Sequence, residues 1–322
     1  MNRLIKRLAA ASTLAALLAL TAGSSSASAQ TIPGCTVAQN IQGIIDDSGS
    51  MAGADPQNYR ADLLEAIAFF NKDKTMGATL FASSAAPLFG PFPVGPNFGL
   101  IQSALAGVTA SGVVGFGTDY DDGFAAANAQ NPNANARIFL SDGEPNTTPD
   151  SNLWKNPLIP AYVVGFGTAD FTVLNQIAAE TGGSSNFPAI VSASQLRTVS
   201  QIINARINCQ ADPTLVERQF GKQGQTKGVG FKPIGKSAQI LISWPTVGNV
   251  FKALFGSGKK GKKSSLASLA KKKKAKVKVQ SVRGESFLAL NLRKLRKGKK
   301  LKFKLRAKRL TGSETVTVAI IR

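Results

Sequence analysis

The chain contains no histidine, and its 322 residues include only two cysteines, three methionines, three tyrosines and two tryptophans. Without histidine, no Ser–His or Cys–His pair can activate a nucleophile, and two soft ligands alone cannot complete a structural zinc site. After residue 29 no apolar run approaches the ~18 residues expected of a membrane-spanning helix. Acidic residues are scarce, 18 against 39 Lys plus Arg, and they are unevenly placed. Gln30 to Asp212 holds 7 basic and 15 acidic residues, whereas Pro213 to Arg322 holds 29 basic and 3 acidic. The excess positive charge belongs to one half of the chain.

Residues 1–29 read as a signal peptide. Arg3, Lys6 and Arg7 form a basic start, Leu8 to Thr21 a short apolar core, and Ala27-Ser28-Ala29 a small-residue cleavage site before Gln30. A retained anchor is the alternative. The expected destination is secreted or envelope-associated, where disulfides persist. Cys35 and Cys209 bracket the acidic half, and domain termini commonly lie close together, so a bridge between them is expected, with free thiols as the alternative. Such a bridge closes a long loop, for which the chain-entropy model assigns roughly 4 to 5 kcal/mol as an upper figure.

Between the cysteines, short apolar runs alternate with helical periodicity. Expected strands are Ile41–Ile45, Gly77–Phe81, Ala86–Phe89, Ala136–Leu140, Ala161–Phe166 and Asn186–Ala189. Expected helices are Asn58–Phe70, Phe98–Ala106, Tyr120–Ala129, Phe171–Thr181 and Ala193–Ile207. This alternation predicts an α/β unit over 30–212, a doubly wound, mostly parallel sheet covered on both faces.

Three stretches within it carry oxygen-bearing side chains. Ile41 to Met51 reads I-Q-G-I-I-D-D-S-G-S-M, so Asp46, Ser48 and Ser50 leave the end of a strand together. Alone, this pattern reads as a turn capping the next helix. Val113 to Asp119, V-V-G-F-G-T-D, adds Thr118, and Ile138 to Glu144, I-F-L-S-D-G-E, adds Asp142 at another strand end. In this order the three resemble the metal-ion-dependent adhesion site of von Willebrand factor type A domains. The resemblance implies a divalent cation held by Asp46, Ser48, Ser50, Thr118 and Asp142. Hard oxygen donors suit Mg²⁺ or Mn²⁺, with Ca²⁺ less favoured. Asp119, Asp121 and Asp122 do not follow the order of an EF-hand and read as favourable charge in a helix first turn. Asp47 and Glu144 read as surface or supporting groups rather than ligands.

The basic half alternates with period two. Leu301, Phe303, Leu305 and Ala307 interleave with Lys302, Lys304, Arg306 and Lys308, and Val316, Val318 and Ile320 follow. Ala238–Trp244, Lys276–Val282 and Phe287–Leu292 read as further strands. The expectation is a linker over 213–225 and a small all-β sandwich over 226–322, with a flexible lysine-rich loop at about 256–274. Lys271, Lys272, Lys273 and Lys274 in that loop, with Lys302, Lys304, Arg306 and Lys308, form a candidate surface for an anionic envelope polymer. A solvated face without any partner is the plainer reading.

Together these features predict an exported, non-enzymatic adhesion protein whose bound ion takes an Asp or Glu carboxylate of a protein partner. A metal-dependent hydrolase and a scaffold subunit of an envelope complex are the alternatives. Sequence-specific nucleic-acid binding is not expected, because the lysines lack interleaved aromatics or a reading helix.

Overall fold

The computed structural model describes residues 34–108, 114–233, 237–244, 248–256, 263–265, 278–283, 287–293, 295, 298 and 300–321. The expected signal peptide, Lys271 to Lys274 and most of the expected flexible loop lie outside the described residues.

The first unit is built on a five-stranded sheet. Its strands are β1 (Asn40–Asp46), β2 (Thr75–Phe81), β3 (Ala85–Pro93), β4 (Ala136–Ser141) and β5 (Ala161–Gly165), in the spatial order β3-β2-β1-β4-β5. β1 pairs in parallel with both β2 and β4, β4 with β5 likewise, and only β3 runs antiparallel, on β2. A parallel sheet must be covered on both faces. Ile41 and Ile45 of β1 therefore pack with α2 (Tyr59–Phe70), α3 (Val94–Ala106) and α7 (Ala193–Ile207). Ile44, pointing the other way, packs with α4 (Tyr120–Gln130), α5 (Asn152–Lys155) and α6 (Phe171–Glu180). The four-residue α1 (Met51–Ala54) follows β1 directly. The chain leaves β1 for β2 through α2 on one face and enters β4, on the other side of β1, from α4 on the opposite face, so the loops beyond the carboxyl end of β1 part and leave a crevice there.

Two details differ from expectation. Asn186–Ala189 is not a strand; Ser184 and Ile190 make isolated parallel bridges to Tyr162 and Phe166 instead. Pro188 has no N–H to give a ladder. Helix α3 begins at Val94, four residues earlier than expected, with Pro96 in its first turn, where a missing N–H costs nothing.

The second unit begins sooner than expected. Thr214–Phe220, assigned above to a linker, is β6, paired antiparallel with the last strand, β14 (Glu314–Ile321). Between them come β7 (Thr226–Phe231), β8 (Ser237–Ser243), β9 (Val250–Gly256), β10 (Lys263–Ser265), β11 (Lys278–Arg283), β12 (Phe287–Arg293) and β13 (Leu301–Arg309). They form two antiparallel sheets, β10-β9-β13-β7 and β11-β12-β8-β14-β6. One apolar cluster joins them: Phe303 and Leu305 of β13, Ile240 and Ile242 of β8, and Val316 and Val318 of β14. Phe251 anchors it, with Phe220 and Trp244 each 5.0 Å away between ring centroids. Lys302, Lys304, Arg306 and Lys308 point outward, as the alternation requires. The expected loop holds a short strand, β10, pairing with β9.

The units meet along α7. Leu241, facing away from Ile240 and Ile242, joins the first unit's core, and Asn204 donates to Gln239 Oε1 at 2.6 Å. Cys35 and Cys209 are disulfide-bonded, tying the approach to β1 to the end of α7 beside this junction.

Candidate metal centre

Asp46 is the last residue of β1 and is fully buried. Its Oδ1 accepts from the Ser48 N–H at 2.9 Å, and its Oδ2 accepts from Ser141 Oγ at 2.6 Å. Burial nevertheless pushes its carboxyl up to about 6, against these hydrogen bonds and with the nearby charge of Asp142 adding to the rise. Ser48 Oγ lies 3.0 Å from Ser50 Oγ, joining the buried carboxylate to the surface through two hydroxyls.

The opening is a cleft of about 400 Å³ lined by Ser50, Thr118 and Asp142 together with Phe116, Glu144, Asn146 and Asp170. Each lining loop is pinned to a neighbour. Gly49 N donates to Phe116 O at 3.1 Å, Asn146 N to Thr118 O at 2.9 Å, and Asp170 N to Asp142 O at 3.1 Å. The sheet thus brings all five expected oxygen-bearing residues to one end, three on the cleft wall and Asp46 with Ser48 behind them.

Several groups that shape this site were not singled out from sequence. Ser141 bridges Asp46 to Tyr120, whose hydroxyl lies 2.9 Å from Ser141 Oγ. Arg60 on α2 is fully buried, 3.0 Å from Asp55 Oδ2 and 3.5 Å from Asp47 Oδ1. Asp47 is accordingly a buried supporting group, whereas Glu144 is exposed. Asp170 caps α6, and the Thr172 N–H holds its carboxyl below the usual range. An arginine inside an apolar helix was a readable signal for a buried ion pair; nothing local in the sequence marks Asp170.

Among the described residues, no group of three His, Cys, Asp or Glu side chains is spaced to hold a metal ion. The candidate site is a different donor set, two carboxylates and three hydroxyls. It suits a hard cation: Asp46 is buried and accepts hydrogen bonds from the uncharged Ser48 N–H and Ser141 hydroxyl, so an ion would relieve its desolvation.

No family model and no curated protein matches this sequence. Solved structures do match. An aerotolerance-related membrane protein from Bacteroides fragilis is 15% identical with a TM-score of 0.46, over 52% of this chain and 98% of that one. BatB from Bacteroides thetaiotaomicron is 15% identical with a TM-score of 0.45, over 52% and 96%. Proximal thread matrix protein 1 from the mussel byssus, described with a zinc-occupied MIDAS motif, is 17% identical with a TM-score of 0.40, over 56% and 50%.

Proposed function

We propose that this chain is an exported adhesion protein that binds a protein partner through a divalent cation, Mg²⁺ or Mn²⁺, held by Asp46, Ser48, Ser50, Thr118 and Asp142. The observation that carries the reading is the fully buried Asp46 beneath a cleft whose wall includes Ser50, Thr118 and Asp142. Three of the five donors are neutral hydroxyls, so the ion would keep affinity for a further anion, which the partner supplies as an Asp or Glu carboxylate. Ser141 orients Asp46, and Arg60 pairs with both Asp47 and Asp55. The reading is binding rather than catalysis; the absence of histidine removes any Ser–His or Cys–His pair, and metal-dependent hydrolysis is the alternative, tested by a hydrolase assay panel with and without Mg²⁺.

Calorimetry tests the site. The mature protein should take up one Mg²⁺ or Mn²⁺ per chain and Asp46→Ala none; equal uptake by both would sink the assignment.

The outward basic row of β13 supports a second contact, with an anionic envelope polymer. Lys302, Lys304 and Arg306 stand on alternate positions of a central strand, and Lys252 of β9 lies opposite Arg306. Retention of the mature protein on producing-cell envelopes should fall as NaCl is raised, because screening shortens the attraction to ~8 Å at physiological salt. It should also fall in a Lys302/Lys304/Arg306/Lys308→Ser variant. Salt-independent retention would leave these side chains as a solvated face.

A further inference from the structure

Beside the candidate ion site stands a side chain that the five-residue donor set leaves unused. Phe116 is 76% exposed and forms part of the cleft wall. Four other large apolar side chains are exposed among the described residues (Leu100, Leu158, Val191 and Leu215), and none lines the cleft.

The ring is not out in water because its loop is loose. Phe116 O accepts from Gly49 N at 3.1 Å, Gly117 N donates to Ser83 Oγ at 2.7 Å, and Ser84 N donates to Val114 O at 3.1 Å. The residues on either side are fitted too closely for a side chain. Gly115 has φ +114°, and a Cβ there would fall 2.7 Å from Ser83 Cβ. At Gly117 a Cβ would lie 2.8 Å from both Asn146 Oδ1 and Ser83 Oγ. The loop is therefore clamped between β1's carboxyl end and the β2–β3 turn, with one aromatic ring projecting from it. With its backbone already held, an exposed aromatic side chain has only two torsions left to order on docking, a low cost of the kind that suits a binding hot spot.

We propose that Phe116 is a specificity-determining residue of the adhesion cleft, selecting partner segments whose metal-binding carboxylate is accompanied by an aromatic or large apolar side chain. The proposal rests on the metal reading above. Glu144 and Asp170, also on the cleft wall, set the complementary rule. They disfavour a second acid on the partner and accept a neutral or basic neighbour.

The test uses the mature chain in excess over Mn²⁺, with propionate and 3-phenylpropionate as probes. Paramagnetic broadening of their methylene proton resonances reports a carboxylate at the ion, and titration gives each dissociation constant. Both probes should broaden beyond a protein-free Mn²⁺ reference with the wild type, and neither should exceed that reference with Asp46→Ala. Phenylpropionate should bind about threefold to tenfold more tightly than propionate, the range expected when two aromatic rings meet. In Phe116→Ala that preference should shrink to within about twofold, while propionate broadens as before. Equal affinities in the wild type, or a preference that survives in Phe116→Ala, would overturn the role of Phe116 and leave the ion site standing. Broadening of both probes by the wild type no greater than that by protein-free Mn²⁺ would overturn the ion site itself, and the proposal with it.

Discussion

The two units place their charges in opposite ways. In the first, Asp46, Asp47, Asp55, Arg60, Lys74, Arg137 and Arg197 are buried. In the second, the charged side chains of β13 stand outside, and Glu314, reached by Asn249 Nδ2 at 2.7 Å, is the one buried charged group among the described residues. Burying a charge costs several kcal/mol unless partners offset it, whereas an exposed lysine costs almost nothing. A fold that keeps seven charged groups inside has a structural or chemical use for them. A fold that keeps them outside has either an external partner or only a soluble surface. The contrast accords with the ion site proposed in the first unit and leaves either use open for the outward charge of the second.

The sharpest way to break that contrast is to remove one charge from each side of it. Arg60→Ala leaves Asp47 and Asp55 buried beside each other without their cation, and the expected loss is about 3–5 kcal/mol of unfolding free energy in denaturant titration. Lys304→Ala, on the outer face of β13, should change stability by less than about 0.5 kcal/mol. Comparable losses in the two variants would remove the distinction between the units. Next in size is the Cys35–Cys209 bridge, which closes most of the first unit into one loop. Reducing it should lower stability by about 2–5 kcal/mol in the same titration. An unchanged midpoint would mean that the contacts of α7 already hold the chain ends together.

A smaller effect isolates Asp46. Its carboxyl is pushed up to about 6 in the folded protein, above its value in an unfolded chain. The sign follows from linkage: a group with a raised folded pKa contributes stability that is present below the unfolded value and lost as pH rises through the folded one. Without metal, the wild type should therefore lose stability between about pH 4 and 6 relative to Asp46→Asn, which carries no titrating group there. Asp55 and Glu65 are raised in the same direction, and the difference between the two proteins cancels them. Saturating Mg²⁺ should reverse the order at pH 7, stabilising the wild type by about 2.7 kcal/mol at a hundredfold excess over its dissociation constant and leaving the variant unchanged. Identical pH profiles for the two proteins would show that Asp46 is not the group that burial perturbs.

Much of the first unit was legible because its periodicities are strong. The run from Ile41 to Ile45 and the helical spacing of Leu63, Ile67 and Phe70 depend on burial alone, and both stand where expected. The five oxygen-bearing residues were readable as spaced motifs, since strand ends bring short sequence signals to one place. What failed was set by tertiary contact. Nothing in Asn186–Ala189 distinguishes a strand from a segment held by bridges at either side. In β6, Leu215 is 45% exposed, so Thr214–Phe220 shows no clean alternation and resembled a linker. In β7, Gly228 and Gly230 occupy the outward positions and erase the period-two pattern that made β13 obvious. Phe116 reads from sequence as one more apolar residue; its exposure is decided by how closely Gly115 and Gly117 press on Ser83.

The smallest expected effect asks whether the second unit's surface is arranged for stability. In the four-stranded sheet Arg306 pairs in register with Lys252, and both are exposed on the same outer face. Like charges directly opposite each other on neighbouring strands are destabilising, and an opposite-charge pair contributes roughly 0.2–1 kcal/mol. Lys252→Glu should therefore raise the stability of the full chain by a few tenths of a kcal/mol to about 1 kcal/mol at low salt. The gain should shrink as NaCl is added, because the pair is exposed to counterions. The same variant replaces a cation by an anion in the middle of the basic face, so retention on envelopes should weaken while the fold becomes firmer. Opposite movement of the two measurements would mean that the sheet gives up stability to keep a basic surface. A variant that loses stability at every salt concentration would instead show that Lys252 is favourably placed where it is, and the outward charge would then be no more than solvation.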